Sequence, residues 1–476
     1  MSEKYLIGID EGSQSAKILI FDSKGNIVCE GKHPLKPYNL PKPGYVEHPD
    51  DDWWDAICEA GKKCMAAFEG DPADIVGIGL CTIRYCRAYL DENCMLAQPA
   101  LSWMDVRVSE PYVHENPKVK YIVASSGYIT YRLTGEKKDA VANYEGGWPV
   151  DVDRWDWSEN PAVYEACGMP REMLFDVVKP GDVLGYITEE AAEATGFPAG
   201  VPLVATANDK AVEGLGTGCM GDDTVCLSLG TYTAAMMEGK EFLRDTSSTW
   251  PKFSCVPDKY LYDTWGIRRG MWTVSWFRDV LGDGYAKEAK AKGMSPEEML
   301  SIEAEQVPVG SNGLMTVLDW LPWVDARYKK GIMIGFDGRH TRGHMYRSIL
   351  EAVALTMRKY IFDMTEEVGV DIKRVIVTGG GSSSDLFMQI IADALNIPTV
   401  RNEVNGAAGL GAAICAAVAA GLYPSFEDAV SGMVRISDRF EPIEDNVRLY
   451  DRMYPIYWDI TNHTDEILKK TYEIFE

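Results

Sequence analysis

Apolar and polar positions follow two different periods along the first 90 residues of the chain. Short apolar runs over residues 5–9 and 16–21 predict two strands with a small-residue turn between them. Apolar residues at helical spacing over 53–68 follow an acidic cap region and predict a helix. A further apolar run over 75–80 predicts a buried strand. This order of hairpin, helix and strand indicates an α/β fold.

The alternation of strands and helices continues through the rest of the chain. Strands are predicted over 201–207, 224–229, 233–237 and 375–378, and helices over 209–215, 385–395, 407–422 and 447–460. The helix over 407–422 is rich in Ala and Gly, which suits close packing. The last helix is amphipathic, and Pro455 is expected to bend it.

One internal repeat links the two halves. Residues 12–16 and 230–234 share the pattern G-[ST]-x-[ST]-A, and each copy lies at the turn of a predicted hairpin. The repeat predicts two related lobes around a common cleft. We expect the boundary near Gly239, with an N-terminal lobe over 1–239 and a C-terminal lobe over 240–476.

Length, composition and charge indicate the number of domains and exclude some kinds of binding partner. The chain has 476 residues, of which 46% are apolar and 25% charged, so two or three globular domains are expected. Its net charge of −25 argues against nucleic acid and anionic membranes as partners, because both require positive surface. No apolar run approaches 18 residues, so no membrane span is expected.

The cysteines and the first residues indicate a compartment. Eleven cysteines are scattered without a CxxC pair, which is typical of free thiols in a reducing environment. Residues 1–4 lead into a short strand without an apolar leader, so no secretion signal is expected. We therefore expect a cytoplasmic protein.

The two repeated turns have the chemistry of phosphate sites. A glycine allows backbone N–H groups to approach a phosphate, and the hydroxyls of Ser13, Ser15, Thr231 and Thr233 can donate to its oxygens. Asp10, just before the first turn, is a candidate Mg²⁺ ligand. Ordinary hairpin turns remain the alternative.

Two further segments are candidates for nucleotide binding and catalysis. The run Gly379–Ser384 follows a strand and opens a helix, where a nucleotide can bind, although a plain loop is the alternative. Asp209 lies at a strand end and can act as a general base toward an attacking hydroxyl. It can equally cap the helix that it begins.

Seven segments in order resemble the FGGY carbohydrate kinase family, and together they span nearly the whole chain. The segments are Gly8–Ser13 with Lys17 and residues 21–22, Trp103–Arg107, Tyr131–Glu136, Asn208–Ala211, Leu229–Thr231, Gly343–Glu351, and Gly379–Gly381 with Gln389 and Asp393. The resemblance implies a two-lobed actin-like ATPase fold, ribonuclease H-like, with a central cleft. It also implies an ATP-dependent kinase that phosphorylates a hydroxyl of a small sugar, ketose or polyol.

The resemblance assigns roles to particular residues. Asp209 is expected to be the general base and Asp10 to organise Mg²⁺. The expected phosphate and nucleotide residues are Gly12, Ser13, Gln14, Gly230, Thr231, Gly380, Gly381 and Ser384. The expected acceptor residues are Arg84, Tyr85, Trp103, Asp105, Arg107 and Asp209.

Several acceptor assignments have structural alternatives. Arg84 can be an ion-paired residue, Trp103 can fill the core, and Asp105 with Arg107 can form a structural ion pair. The segment over 108–120 is shorter than in most members of the family, which affects expected contacts with substrate and partners.

Two other functions are compatible with the same fold. One is a sugar-responsive binding protein with little or no phosphotransfer, and the other is an actin-type assembly protein. The presence of both Asp10 and Asp209 argues against the first, and the segment Trp103–Arg107 argues against the second. The resemblance also leaves a homodimer open.

Overall fold

The computed structural model describes residues 3–404 and 406–475, so residues 1 and 2 of the expected N-terminus lie outside the described residues. The strands are β1 (Tyr5–Glu11), β2 (Ser15–Asp22), β3 (Ile27–Pro34), β4 (Ile75–Thr82), β5 (Ala88–Leu90), β6 (Tyr121–Val123), β7 (Lys138–Ala140), β8 (Val150–Asp151), β9 (Asp156–Trp157), β10 (Asp176–Val178), β11 (Val183–Tyr186), β12 (Pro202–Val204), β13 (Thr224–Leu229), β14 (Thr233–Gly239), β15 (Thr249–Phe253), β16 (Tyr260–Thr264), β17 (Met315–Val317), β18 (Ile332–Ile334), β19 (Arg374–Thr378), β20 (Thr399–Asn402) and β21 (Ile436–Phe440).

Helices cover the sheets and connect their strands. They are α1 (Asp52–Ala67), α2 (Ser125–Thr134), α3 (Pro161–Cys167), α4 (Glu189–Thr195), α5 (Asp209–Thr217), α6 (Gly270–Val280), α7 (Gly282–Ala291), α8 (Pro296–Glu305), α9 (Arg342–Val368), α10 (Asp385–Leu395), α11 (Ala407–Ala419), α12 (Phe426–Met433) and α13 (Glu444–Phe475). Within the described ranges, no helix is both long and apolar enough to cross a membrane.

Two large sheets form the frame, and they share one topology. The first has the order β11-β12-β4-β1-β2-β3, and the second has the order β15-β16-β14-β13-β19-β20-β21. In each sheet a three-stranded antiparallel unit (β3, β2, β1 and β16, β14, β13) is followed by two parallel strands (β4, β12 and β19, β20). The internal repeat is confirmed, because the β1–β2 and β13–β14 turns occupy equivalent places in the two sheets.

The sheet pairing shows to which sheet the strands around Gly239 belong. Strand β13 pairs with β19, and β14 pairs with β16, so residues 224–239 belong to the second sheet. The first sheet ends with β12, and α5 follows it along the chain. The expected boundary near Gly239 therefore falls after two strands of the second sheet, because a repeated turn does not reveal with which sheet its hairpin will pair.

The core reflects the alternation of side chains along the strands. On one face of the first sheet, Leu6, Leu19 and Phe21 join the core of the second lobe. On the other face, Ile7 and Ile18 pack with α1 in a separate core. This alternation is the pattern expected for strands that are covered on both faces.

Helix α11 joins the two sheets by packing against β1, β4 and α5. The approach is close because glycines face it. A Cβ on Gly8 would lie 2.0 Å from the carbonyl oxygen of Gly409, and a Cβ on Gly79 would lie 1.9 Å from that of Ala412. Gly216 of α5 has a similarly close contact with the backbone of α11. The small residues of this helix therefore allow backbone-to-backbone packing between the lobes.

The last two predicted helices differ in length from the observed ones. Helix α11 ends at Ala419, short of the predicted residue 422. Helix α13 continues through Pro455 to Phe475, well past the predicted end at residue 460. Its extension was missed because the later apolar residues Ile467 and Ile474 are 64% and 74% exposed and mark no buried stripe.

The glycine contacts of α11 lead to a stability prediction. In Gly79→Ala the new Cβ would meet the backbone of α11, which has no room to move. We expect a loss of about 1–3 kcal/mol, the usual effect of overpacking a core. A lower urea midpoint, followed by tryptophan fluorescence, measures it.

The matched control is Gly338→Ala, since a Cβ on Gly338 has nothing within 4 Å. That variant should unfold at the urea concentration of the parent protein. Equal midpoints for both variants would contradict the close packing at Gly79.

Candidate active site

The two glycine turns belong to different sheets but line one polar cavity of about 250 Å³. Its lining residues are Asp10, Gly12, Ser13, Gln14, Ser15, Lys17, Lys32 and Thr231. The backbone N–H of Gly12 donates to the carbonyl oxygen of Ser15 (3.1 Å) and closes the first turn. Lys17 and Lys32 give this cavity positive charge, although the chain as a whole is strongly acidic. The cavity is therefore suited to an anion.

The glycines of the turns are not required by backbone conformation. Neither Gly12 nor Gly230 has a positive φ. A Cβ on Gly12 would make only an ordinary 3.7 Å contact, so its absence leaves space in the cavity. Thr233 does not serve the cavity as expected, since its buried hydroxyl donates to the carbonyl oxygen of Gly230 (3.2 Å).

Asp10 lies in the cavity, directly opposite Lys17 in the β1–β2 pairing. Burial raises the pKa of the Asp10 carboxyl to about 6, although Lys17 favours the ionised form. Residues 3–404 and 406–475 contain no group of three or more His, Cys, Asp or Glu side chains that could hold a metal ion. One carboxylate still suits Mg²⁺ in a nucleotide site, because Mg²⁺ there keeps several waters and binds phosphate oxygens.

Asp209 is not the cap of its helix. The side-chain oxygen of Asn208 accepts hydrogen bonds from the N–H groups of Lys210 and Ala211, at 3.1 Å each. Asp209 follows as the first residue of α5. Its Oδ1 accepts from the N–H of Lys210 (2.9 Å) and lies 3.5 Å from Nε of Arg84. A third of the Asp209 side chain is exposed (33%). Its carboxylate is therefore accessible to a ligand beside Arg84.

Arg84 connects the two lobes through a buried ion pair. Its Nη1 donates to Oδ2 of Asp263 in β16 (3.0 Å), and the same oxygen accepts from Nζ of Lys252 in β15 (2.7 Å). Burial opposes the ionisation of Asp263, but Lys252 and Arg84 lower its pKa to about 2. Arg84 is therefore ion-paired, and its partners are Asp209 and a carboxylate of the other lobe.

Glu145 is a further, half-buried carboxylate in this cluster. It accepts hydrogen bonds from Nδ2 of Asn208 (2.9 Å) and from the hydroxyl of Tyr85 (3.3 Å). Burial raises the pKa of Glu145 to about 7, although Lys252 and Arg84 oppose the change. Tyr85 itself has a φ of 60°, which is uncommon for tyrosine and is typical of strained functional sites.

In the segment from Trp103 to Arg107, the structural alternative holds for the charged pair but not for the tryptophan. Trp103 is 45% exposed, so it does not fill the core. Asp105 and Arg107 form the structural ion pair (2.7 Å) that the sequence left open. Arg107 also contacts Glu47 (2.7 Å) and covers the ring of Tyr45. These bonds fix the loop that carries Trp103.

The glycine-rich segment after β19 packs against the second phosphate turn. A Cβ on Gly381 would lie 2.8 Å from the side chain of Leu229, the residue before Gly230. Gly380 has open space around it. Ser384 is the cap of α10, because its hydroxyl accepts from the N–H of Phe387 (3.3 Å).

A second cavity, of about 430 Å³, lies beside this segment. Ser382, Ser383 and Arg401 contribute to its lining. Nη1 of Arg401 donates to the carbonyl oxygen of Ser382 (3.0 Å) and so holds one wall of the cavity. Ser382 and Ser383 belong to the run that was a candidate for nucleotide binding, whereas Arg401 was not expected there.

Sequence reasoning also missed Lys252, Asp263 and Glu145. A signal existed for the first two, because each is the single charged residue of a strand that is otherwise apolar, aromatic or hydroxyl-bearing. A charge in such a strand must find a partner when the strand is buried. Glu145 lies in a loop, where a lone carboxylate gives no comparable signal.

Comparison with known families agrees with this geometry. Residues 5–116 and 109–216 match the N-terminal domain model of the FGGY family of carbohydrate kinases, and residues 225–420 match its C-terminal domain model. The chain belongs to the FGGY family. It is therefore a carbohydrate kinase, and kinases of this family use ATP as a substrate.

Individual relatives cover the whole chain. The "Uncharacterized sugar kinase YgcE" of Escherichia coli (strain K12) is 54% identical over 477 residues, covering 100% of this chain and 96% of that protein. The "Xylulose kinase" of Bacillus subtilis is 23% identical, with 98% of each chain covered. The crystal structure of gluconate kinase from Lactobacillus acidophilus has a TM-score of 0.84 at 19% identity, over 99% of this chain and 100% of that one. This likeness confirms the two-lobed actin-like fold of the FGGY kinases.

The raised pKa of Asp10 predicts a stability change that depends on pH. The folded protein keeps the Asp10 proton up to about pH 6, whereas the unfolded chain loses it near pH 4. Ionisation of Asp10 therefore removes stability as the pH rises from about 4 through about 6. In Asp10→Asn this loss is absent, so the melting temperature at pH 8 should exceed that of the parent by about 2–4 °C.

The same two proteins should melt at similar temperatures near pH 4, where Asp10 of the parent is protonated. Scanning calorimetry at both pH values tests this. A melting temperature for Asp10→Asn below the parent value at pH 8 would show that the carboxylate stabilises the fold.

Proposed function

We propose that this FGGY kinase transfers the γ-phosphoryl group of ATP to a hydroxyl of a small sugar, ketose or polyol, by in-line displacement with Asp209 as the general base. The observation that carries the proposal is the single polar cavity lined by both glycine turns and Asp10. Turns from two lobes that meet at one anion-binding cavity are suited to hold a phosphate chain across the cleft.

Phosphate binding is assigned to the two turns. Gly12 leaves space in the cavity, Ser13 and Gln14 border it, and Gly230 precedes Thr231 on the opposite side. Hydroxyl and backbone N–H groups there can donate to phosphate oxygens. Nearby Lys17 and Lys32 add charge-assisted contacts, which are stronger than neutral ones.

Asp10 is proposed to organise Mg²⁺. When bound, Mg²⁺ would neutralise part of the charge on the phosphate oxygens. The fit rests on Asp10 as a carboxylate in the phosphate cavity with water-sized space around it.

Asp209 is proposed to remove the proton of the acceptor hydroxyl. Because Asn208 caps α5, the Asp209 carboxylate need not serve as the cap of that helix. Its neighbour Arg84, 3.5 Å away, holds the carboxylate beside the proposed acceptor site.

The adenine nucleoside is proposed to lie near Gly380, Gly381 and Ser384. The 430 Å³ cavity beside this segment has a volume typical of a small-molecule site, and Arg401 supplies a charged group. The neighbouring Gly381 packs against Leu229, the residue before Gly230, so the segment lies beside the second phosphate turn.

The acceptor is proposed to bind between Arg84, Tyr85 and the exposed ring of Trp103, close to Asp209. Asp105 and Arg107 act by holding the loop of Trp103 and are positioning residues. The relative named xylulose kinase supports a ketose as the first acceptor class to test.

We propose that residues up to about 217 form the lobe with acceptor and base, and that residues from 224 form the nucleotide lobe. The described cysteines are all free thiols, which supports an activity in a reducing compartment such as the cytoplasm.

Replacing the base gives the direct test of the mechanism. Asp209→Asn should lower kcat by about 10²–10⁴, the range for loss of a general base, with a much smaller change in KM for ATP. A coupled ADP-release assay measures both constants. Asp222→Asn, a change of an exposed aspartate shortly after α5, is the matched control and should retain full activity. Near-parental kcat in Asp209→Asn would remove Asp209 from this role.

The acceptor itself is found with the same assay and a panel of polyols, ketoses and sugar acids. A kinase releases ADP only with the right acceptor. A sugar-binding protein would bind a panel member without releasing ADP, and an assembly ATPase would release ADP with no sugar present.

A further inference from the structure

A third cavity, of about 840 Å³, lies in the second lobe and has no role in the mechanism above. Tyr360 of α9 and Tyr457 of α13 form part of its lining, and the segment over 317–329 forms another part. The remaining lining comes from Trp250 of β15 and from residues 265–268, which follow β16. The volume is at the upper end of the range for small-molecule sites.

Three tryptophans on this cavity are unusually exposed. Trp250, Trp265 and Trp323 are 53%, 44% and 39% exposed, although tryptophan is highly buried on average. Their rings form a continuous series, with centroids 6.1 Å apart for the first pair and 5.3 Å apart for the second. Such a row of exposed rings is typical of a binding surface.

The aromatic series begins at the acceptor site. Trp250 is directly opposite Asp263 in the β15–β16 pairing, so both side chains lie on the same face of the sheet. Nζ of Lys252 lies 5.3 Å from the Trp250 ring and 2.7 Å from Asp263. Asp263 in turn contacts Arg84 of the first lobe (3.0 Å). A ligand bound at Arg84 can therefore extend along the second lobe onto Trp250.

The cavity also touches the second phosphate turn. A Cβ on Gly266 would lie 2.3 Å from the ring of Tyr232, so these two residues are in direct contact. Gly266 lies in the lining of the cavity, next to Trp265. The cavity therefore adjoins residues next to the second phosphate turn and residues next to the Arg84 ion pair.

Polar groups around the rings are those that bind hydroxyls. Asp319, Asp325, Lys329 and Arg268 lie in the lining. Burial raises the pKa of Asp319. In the part of the chain that the structure describes, no hydrogen bond to its carboxylate is made, so both oxygens can accept from a ligand. Aromatic faces combined with carboxylates and cations suit a ring that is apolar on one face and hydroxylated at its edge.

We propose that this cavity binds a second sugar ring, joined by a glycosidic bond to the ring that is phosphorylated. The inference rests on the proposed function, because it concerns the acceptor of the same site. The preferred acceptor is then a disaccharide rather than a free monosaccharide. Trp250 and Trp323 contact the apolar faces of the second ring, and Asp319 accepts from its hydroxyls.

The test compares sucrose, maltose, lactose and cellobiose with glucose, fructose and galactose in the ADP-release assay. A disaccharide should have a higher kcat/KM than either of its components. In Trp250→Ala, its KM should rise about 10-fold, while KM for ATP and for the monosaccharides stays unchanged. Trp250 is more than half exposed, so its loss should not impair folding. Tyr186→Ala, at an exposed tyrosine of β11, is the matched control and should behave as the parent.

Binding is measured separately, by quenching of tryptophan fluorescence on titration with each disaccharide. Quenching by a disaccharide that is lost in Trp250→Ala supports the second-ring site. If no acceptor releases ADP in the kinase assay, only the proposed function is rejected. Monosaccharides with the highest kcat/KM, together with no disaccharide quenching, would overturn the inference and leave the kinase function intact. A p-nitrophenyl glycoside that outperforms every disaccharide would also overturn it, in favour of an aromatic second ring.

Discussion

Backbone-to-backbone packing holds α11, which follows the second-sheet strand β20 along the chain, against β1 and β4 of the first sheet and against α5. Glycines at positions 8, 79 and 216 permit this approach, and larger residues there would separate the sheets. The phosphate cavity depends on that spacing, because its walls come from equivalent turns of the two sheets. A repeated topology supplies the two turns, and the glycine contacts bring them to one place. The catalytic geometry of this kinase is therefore set by residues that contact no substrate.

The ion pairs around Arg84 join elements that are distant along the chain. Asp263 binds Lys252 within its own sheet and Arg84 across the cleft, and Arg84 also lies beside Asp209. Such pairs are costly to desolvate, and their loss leaves a buried charge unpaired. The arrangement defines one conformation of the cleft rather than adding much stability.

Features set by neighbouring residues could be predicted from the sequence. Features that depend on strand pairing or on ion pairs between distant residues could not. Both hairpins, the helix over 385–395 and the Asn208 cap follow from periodicity and turn residues. The lobe boundary required knowledge of which sheet receives β13 and β14. Lys252 and Asp263 were missed because their partners are distant along the chain. The ion pair of Asp105 and Arg107 could not be told from a sugar contact until the position of Glu47 was known.

The bond between Arg84 and Asp263 has a thermodynamic consequence for the two substrates. Because it joins the lobes before any ligand binds, opening the cleft must break it, and an acceptor at Arg84 must compete with Asp263. A nucleotide that binds both glycine turns also changes the balance between the open and closed arrangements of the lobes. The two ligands therefore share one conformational equilibrium, and each changes the affinity of the other by the same factor. Whether the phosphoryl donor and the acceptor strengthen or weaken each other's binding then depends on the salt bridge between Arg84 and Asp263.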